Sequence, residues 1–217
     1  KLPEEIETEV EMVVLSPGVP ADTVFADSFR KRNIPVIGEI ELAYLCGKGK
    51  ILAITGTNGK TTTTALTGKI MEEYFESAYI VGNIGNPYTN AALDMTKDTV
   101  TVAEISSFQL ETIEKFHPVV SAILNITPDH LARHHTMEAY AAAKEGITAG
   151  QTKDEICVLN FDNGYTREFA DRCPATPVFF SSSQRLEEGY FLQDTKIVKR
   201  FAGAECELMD IYQDMII

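Results

Sequence analysis

A glycine-rich turn that carries a lysine and threonines follows the apolar run Ile51–Thr55. The turn reads Gly56-Thr57-Asn58-Gly59-Lys60-Thr61-Thr62. Its glycines would let backbone amides surround phosphate oxygens, and the helix predicted after them would add partial positive charge. Lys60 could reach the β and γ phosphates of a nucleotide, and Thr61 could bind Mg²⁺. The pattern GxxxxGK[ST] would place a glycine at Ile54, so this loop is a shorter variant. A turn that binds nothing is the alternative.

A carboxylate ends a second apolar run, in Val102-Ala103-Glu104-Ile105-Ser106-Ser107. Ligands of open α/β sheets gather at the carboxyl ends of strands. Glu104 could therefore hold Mg²⁺, directly or through water. A solvated carboxylate is the alternative, but a neighbouring phosphate-binding loop favours the metal.

A histidine-rich segment follows a third apolar run, with the sequence Asn125-Ile126-Thr127-Pro128-Asp129-His130-Leu131-Ala132-Arg133-His134-His135. Asp129 and His130 could bind a metal or a substrate, and Arg133 could bind a phosphate. A polar surface loop is the alternative.

Two further features are less specific. Lys144 ends Ala141-Ala142-Ala143-Lys144 on a predicted helix, where a lysine is usually solvated. Val81-Gly82-Asn83-Ile84-Gly85-Asn86-Pro87 places a second glycine turn after a strand, suited to a ligand or to a tight turn alone.

Strands that alternate with helices would position these residues. The predicted strands are Ile51–Thr55, Tyr79–Val81, Thr99–Ile105, Val119–Ile126, Ile156–Asn160 and Pro177–Phe180, and the clearest helices are Lys60–Tyr74 and Met137–Ala149. This alternation predicts an α/β fold with a mainly parallel sheet and flanking helices. The last stretch predicts a hairpin of Tyr190–Leu192 and Ile197–Phe201 and a strand at Cys206–Tyr212, which together form a small antiparallel patch near the C-terminus.

The composition is that of a globular protein. The 217 residues include 19 Lys and Arg against 32 Asp and Glu, a net charge of −13, and 44% are hydrophobic. This acidic balance argues against general nucleic-acid binding. No apolar stretch approaches the roughly 20 residues of a membrane helix and no signal segment opens the chain, so we expect a cytoplasmic protein without a membrane partner. The four cysteines, Cys46, Cys157, Cys173 and Cys206, form no CxxC pair, and we interpret them as reduced thiols.

The chain starts at Lys1, and its first apolar run, 12–15, has no sheet partner upstream. We interpret residues 1–37 as the end of an N-terminal domain and residues 38–217 as a central domain.

These motifs, with Ser16-Pro17-Gly18-Val19-Pro20 and Gly38-Glu39-Ile40-Glu41-Leu42-Ala43, resemble the Mur ligases of peptidoglycan synthesis. The likeness runs from about Val13 to Asn160 and is weaker beyond it. It implies a P-loop-like central ATP-binding domain, preceded by a truncated UDP-binding domain, with the family's C-terminal domain absent.

The resemblance implies an ATP-dependent amide-bond ligase of cell-wall biogenesis, and hence a role in cell shape and division. Within the family, the motifs are most similar to those of the branch that adds D-glutamate to UDP-N-acetylmuramoyl-L-alanine through an acyl phosphate. ATP and Mg²⁺ would be the cofactors, and the protein would be a monomer. We expect these 217 residues alone to lack ligase activity. Another Mur ligase, a folylpolyglutamate synthase and a non-catalytic P-loop module are the alternatives.

The resemblance also implies roles in catalysis and metal binding. Lys60 would hold the β and γ phosphates, and Thr61 and Glu104 a first Mg²⁺. His130 would hold a second Mg²⁺ with Lys144, which in the family is N-carbamylated. A carbamate turns this cation into a carboxylate-like ligand and requires a lysine that can lose its proton.

The substrate contacts that the resemblance implies involve four other residues. Asn83 would contact the UDP-sugar, Ser106 and Gln109 would line its path, and Gly18 would lie near the uridine diphosphate. Ala132 stands where the family usually has an acidic residue, so the polar network around His130 is expected to be weaker or rearranged.

Overall fold

The computed structural model describes residues 9–83 and 85–214 and contains two sheets. In chain order the elements are β1 Val13–Leu15, α1 Val24–Arg30, β2 Val36–Gly38, α2 Glu39–Cys46, β3 Lys50–Thr55, α3 Lys60–Tyr74, β4 Ala78–Gly82, α4 Tyr88–Ala91, β5 Val100–Glu104, α5 Ser107–Leu110, β6 Val120–Ile123, α6 Leu131–His134, α7 Met137–Glu145, β7 Ile156–Asn160, α8 Gly164–Phe169, β8 Thr176–Ser181, β9 Gly189–Gln193, β10 Lys196–Phe201 and β11 Ala204–Asp210. Short 3₁₀ turns follow α4, α7 and α8.

The nine-stranded sheet has the order β11-β10-β9-β8-β7-β6-β3-β5-β4. All pairings from β4 across to β9 are parallel, and β9, β10 and β11 pair antiparallel. The predicted fold class is therefore confirmed. The antiparallel strands continue the main sheet, because β9 also pairs with β8 in parallel through Phe180 and Tyr190.

The parallel strands of the sheet contain many of the buried residues. Every residue of β5 is buried, as expected for a strand covered on both faces. The main core includes Ile51, Ala103, Ile123 and Leu159 from successive strands. On the other face, α3 covers only part of the sheet, and an apolar groove of about 440 Å³ is lined by residues of β3, β6, β7, β8 and β9 and by two threonines of α3.

Several predicted boundaries shift. β6 ends at Ile123 instead of Ile126, although a hydrogen bond to the end of β3 follows it, from Leu124 N–H to Thr55 C=O (3.0 Å). α7 ends at Glu145, and a 3₁₀ turn completes the predicted helix. The pattern did not predict α1 and α2.

The sheet partner of the first strand, β1, lies downstream in the sequence. β1 pairs in parallel with β2, with Val13 opposite Val36, and α1 packs Phe29 against them. The predicted domain boundary between residues 37 and 38 falls within β2, and the division into domains remains a prediction.

Glu41 of α2 anchors the segment that precedes β6. Its side chain is 1% exposed and accepts hydrogen bonds from the backbone amides of Glu114, Lys115 and Phe116 (3.0, 2.8 and 3.0 Å). A buried carboxylate is stable only with such partners.

None of the helices formed by the described residues is long and apolar enough to cross a membrane. The four cysteines, all within the described part of the chain, are free.

Candidate functional site

The glycine loop, residues 56–59, joins β3 to α3. Gly56 has φ +149° and Gly59 has φ +81°, which favour glycine. A Cβ at position 56 would lie 3.0 Å from Cβ of Leu124, so the loop packs tightly on the end of β6. No side chain caps α3, and its first-turn amides lack intrahelical acceptors. The loop and helix together have the geometry of an anion site.

Lys60 folds back over the glycine loop. Its Nζ donates to the carbonyl oxygens of Gly56 and Thr57 (3.0 and 2.9 Å). A cation is thereby fixed at the mouth of the loop, where it could meet a phosphate.

Glu104, at the end of β5, joins the start of α3 to the turn after β4 at the carboxyl edge of the sheet. Its Oε2 accepts from Thr61 Oγ1 (2.9 Å), and its Oε1 accepts from Asn83 Nδ2 (2.9 Å). The carboxylate is only 1% exposed. Ile84, in the same predicted turn as Asn83, lies outside the described residues.

The donor set at Thr61 and Glu104 suits Mg²⁺. Hydroxyl and carboxylate oxygens are hard ligands, and Mg²⁺ commonly takes one or two carboxylates together with water and substrate phosphates. Residues 9–83 and 85–214 contain no group of three or more His, Cys, Asp or Glu that could hold a metal alone. A metal at this site would therefore take its remaining ligands from a nucleotide or from water.

Lys144 is buried beneath the glycine loop, which excludes the solvated alternative. It is 1% exposed, its Nζ donates to Gly56 O (2.8 Å), and the Nζ lies 4.7 Å from the ring centre of Tyr140. Burial and then the charge of Lys60 lower the pKa of Lys144 to about 7, against a smaller opposing effect of Asp129. Lys144 therefore loses its proton at a lower pH than a solvated lysine.

His130 has a left-handed backbone conformation, with φ +52°. Its ring centre is 5.0 Å from that of Phe108 and 6.4 Å from that of Tyr140. Its Nε2 lies 3.5 Å from Oδ2 of Asp129. Asp129 thus supplies a carboxylate beside His130, although position 132 is alanine. Tyr140 is the ring that both His130 and Lys144 approach.

His134 has the spacing of a metal-binding partner for His130 but a different environment. It is 8% exposed, and its Nε2 shares a hydrogen bond with Ser107 Oγ (2.9 Å). Burial lowers its pKa, against the nearby Glu111. His134 therefore links the segment after β6 to α5.

Arg133, predicted as a phosphate partner, is engaged elsewhere. Nε and Nη2 of its guanidinium donate to the two carboxylate oxygens of Glu111, and the group lies 5.4 Å from the ring centre of Phe108.

The predicted substrate contacts are placed as follows. Ser106 and Gln109 form a capping box at the start of α5, and Nε2 of Gln109 donates to Oε1 of Glu39 (2.6 Å). Gly18 lies in the turn after β1, closed by a hydrogen bond from Val19 N–H to Ser16 C=O (2.9 Å). Residues of this turn line a small cleft with Gln109. These substrate roles remain predictions.

Sequence reasoning missed two residues that organise the site, Asn125 and Tyr140. Asn125 bonds directly to the glycine loop, and the Tyr140 hydroxyl lies 3.2 Å from Thr57 Oγ1. The position of Asn125 after an apolar strand was a usable signal, whereas Tyr140 was recognisable only from its packing.

The fold and site define a P-loop-type α/β domain with a phosphate-binding loop at the carboxyl edge of a parallel sheet. A family description, Mur ligase middle domain, matches residues 54–215. The chain belongs to the Mur ligase family, as its motifs predicted.

Curated relatives agree with this family. The chain is 55% identical over 216 residues to the UDP-N-acetylmuramoylalanine--D-glutamate ligase of Lachnoclostridium phytofermentans, covering 100% of this chain and 48% of that relative. It is 46% identical over 197 residues to the protein of the same name from Clostridioides difficile, covering 90% of this chain and 44% of the relative. The chain thus spans about half the length of the curated relatives it matches.

Solved structures share the fold. MurF ligase from Thermotoga maritima, in complex with ADP, matches with a TM-score of 0.55 and 18% identity, covering 94% of this chain and 57% of that one. A UDP-N-acetylmuramoyl-L-alanyl-D-glutamate--2,6-diaminopimelate ligase matches with a TM-score of 0.58 and 21% identity, covering 93% and 54%.

Proposed function

We propose that this chain is the nucleotide-binding part of a cytoplasmic, monomeric ATP-dependent ligase that joins D-glutamate to UDP-N-acetylmuramoyl-L-alanine. The observation that carries the proposal is the convergence of Lys60, Thr61 and Glu104 at the glycine loop of a Mur ligase domain. The choice of D-glutamate is supported by relatives of that name at up to 55% identity. In this assignment residues 1–37 end a UDP-binding domain and residues 38–217 form the central domain.

The residues of the loop would bind the nucleotide. The amides of the first turn of α3 and Nζ of Lys60 would donate to phosphate oxygens, and Lys60 would exchange its present bonds to neutral loop carbonyls for bonds to a negatively charged acceptor. Thr61 and Glu104 would hold one Mg²⁺, and His130 with N-carbamylated Lys144 a second. Bound Mg²⁺ would neutralise phosphate charge during transfer.

The reaction would proceed in two transfers. The carboxylate of UDP-N-acetylmuramoyl-L-alanine takes the γ-phosphoryl group of ATP, giving an acyl phosphate and ADP. The amine of D-glutamate then attacks the acyl carbon, loses a proton and displaces phosphate. Positioning of the reactants and neutralisation of charge would supply most of the catalysis, with Lys60 holding the transferring phosphoryl oxygens.

The environment of Lys144 favours the loss of its proton, which carbamate formation requires. A carbamate forms when a neutral amine adds to CO₂, with release of one proton. The lowered pKa of Lys144, to about 7, makes the neutral amine available. Asn83 would contact the UDP-sugar substrate, Ser106 and Gln109 would line its path, and Gly18 would lie near the uridine diphosphate.

Phosphate release by the complete protein that contains this chain tests the proposal. Mg-ATP and UDP-N-acetylmuramoyl-L-alanine are supplied with D-glutamate, L-alanine, meso-diaminopimelate or L-lysine in separate reactions. We expect release with D-glutamate only, and its loss in Lys60→Ala. Lys69→Ala is the matched control, because Lys69 lies exposed on α3 and pairs with Glu72.

The other outcomes would contradict the proposal in different ways. Release with another amino acid would assign the protein to a different ligase of the family. No release in any reaction would contradict the proposed ligase and leave a nucleotide-binding module.

A further inference from the structure

Asn125 holds the glycine loop from outside it. Its Oδ1 accepts from the amide of Asn58 (2.8 Å), its Nδ2 donates to the carbonyl oxygen of Asn58 (3.0 Å), and its own carbonyl oxygen accepts from the amide of Thr57 (2.9 Å). One residue therefore bonds to all three peptide groups within residues 56–59.

Thr127, two residues after Asn125, makes a second set of contacts with the glycine loop. Thr57 Oγ1 donates to Thr127 O (3.2 Å) and accepts from Thr127 N–H (3.0 Å), and it lies 3.2 Å from the Tyr140 hydroxyl. A hydroxyl has one donor and two acceptor sites, so this group is fully used when Tyr140 donates. The pairing of β3 with β6 is thereby extended past both strand ends.

The bonds between Asn125 and the glycine loop determine which backbone amides remain available to a ligand. The amides of Thr57 and Asn58 already have acceptors on Asn125, so an anion would be received by the amides that follow, at the start of α3. The Asn125 contacts thus set the position of the loop without occupying the donors of the helix terminus.

Asn125 also begins the chain segment that carries His130. We define residues 126–135 as the histidine loop. Because Asn125 and Thr127 are bonded to the glycine loop, a shift of one loop must be accommodated by the other. Leu124, packed against position 56, makes the contact tight.

We propose that Asn125 is a positioning residue that couples the glycine loop to the histidine loop, so that nucleotide bound at the first orders the second. The inference rests on the proposed nucleotide site. It predicts that ADP protects the histidine loop although the ligand need not touch it, and that this protection depends on Asn125.

The test compares the complete wild-type protein with Asn125→Ala and with Asn90→Ala. Asn90 is a matched control because it is an exposed asparagine on α4. Affinity is measured by fluorescence titration with a labelled ADP, and backbone protection of residues 126–135 by hydrogen–deuterium exchange with and without saturating ADP. Circular dichroism checks that each variant is folded.

We expect Asn125→Ala to bind ADP about tenfold more weakly, an effect equal to about 1.4 kcal/mol and within the range of one or two neutral hydrogen bonds. At saturating ADP the protection of the histidine loop should also be lost, which a loss of affinity alone would not cause. Asn90→Ala should behave as the wild type.

Four results would contradict either the proposed function or the coupling. Wild-type protein that fails to bind ADP contradicts the proposed function. Wild-type protein that binds ADP without protecting residues 126–135, or a folded Asn125→Ala that retains the protection, overturns the coupling alone. If Asn125→Ala does not fold, Asn125→Asp carries the test, because it keeps the shape of the side chain and the acceptor for the Asn58 amide but removes the donor to the Asn58 carbonyl oxygen; retained protection in that variant likewise overturns the coupling.

Discussion

Lys60 and Lys144 donate hydrogen bonds from their Nζ atoms to the same acceptor, the carbonyl oxygen of Gly56, at 3.0 and 2.8 Å. Burial disfavours the charged form of Lys144, and repulsion by the ammonium group of Lys60 on the same carbonyl oxygen adds to this effect. The pKa of Lys144 is lowered to about 7 as a result. The glycine loop therefore lies between a partly exposed lysine and a buried, readily deprotonated one.

The titration of Lys144 should make stability depend on pH. The pKa is about 7 in the native state, against the ordinary value of 10.5 in an unfolded chain. Between these values the unfolded chain binds more protons at this position, so the free energy of unfolding rises with pH, by at most about 1.4 kcal/mol per unit. Relative to Lys144→Met, the wild type should therefore gain stability from pH 7 to pH 10.

Urea unfolding in CO₂-free buffer measures this difference. The exposed Lys97→Met controls for the loss of one positive charge. A stability difference between wild type and Lys144→Met that does not change with pH would show that Lys144 keeps an ordinary pKa.

Glu104→Gln should weaken the Mg²⁺ dependence of nucleotide binding. The amide can still accept a hydrogen bond from Thr61 but lacks the negative charge that holds a divalent cation. We expect the affinity for ADP with Mg²⁺ to fall about tenfold or more, with little loss in EDTA. Calorimetric titration measures both, and Glu138→Gln, exposed on α7, is the control. Equal Mg²⁺ enhancement in wild type and Glu104→Gln would exclude the metal role.

Gly56→Ala should destabilise the protein and disturb the glycine loop. Its φ of +149° is unfavourable for alanine, and the new Cβ would lie 3.0 Å from Cβ of Leu124. We expect a loss of about 1–3 kcal/mol in the free energy of unfolding. Gly164→Ala, at a position with open space around it, should change stability by less than about 1 kcal/mol. Chemical denaturation compares the two; equal effects would refute the strain at Gly56.

Glu41→Ala should be strongly destabilising although the residue lies outside the candidate site. It would leave the amides of Glu114, Lys115 and Phe116 without their acceptor. We expect a cost of about 3–5 kcal/mol, since these bonds involve a buried charged acceptor. Thermal unfolding measures it against the exposed Glu138→Ala. A change as small as that of the control would mean that water or another group can replace the carboxylate.

The sequence alone determined the local parts of the molecule. A strand, a glycine loop and a helix beginning at Lys60 could be predicted because turn geometry and helix initiation depend on neighbouring residues. The alternation of strands and helices was sufficient for the parallel sheet. Relations between distant segments had no local signal, and the grouping of Thr61 with Glu104 rested on the family resemblance. The antiparallel strands were recognised without their continuity with the main sheet.

Only the tertiary structure decided the chemistry of the site. Thr61 and Glu104 are 43 residues apart, and Lys144 is 88 residues from Gly56, yet the parallel strands bring these groups together at one edge. A lysine on a helix is solvated or buried according to what packs over it, and here the glycine loop and Tyr140 cover Lys144. Its pKa follows from that burial, so a property of one residue was fixed by segments far along the chain.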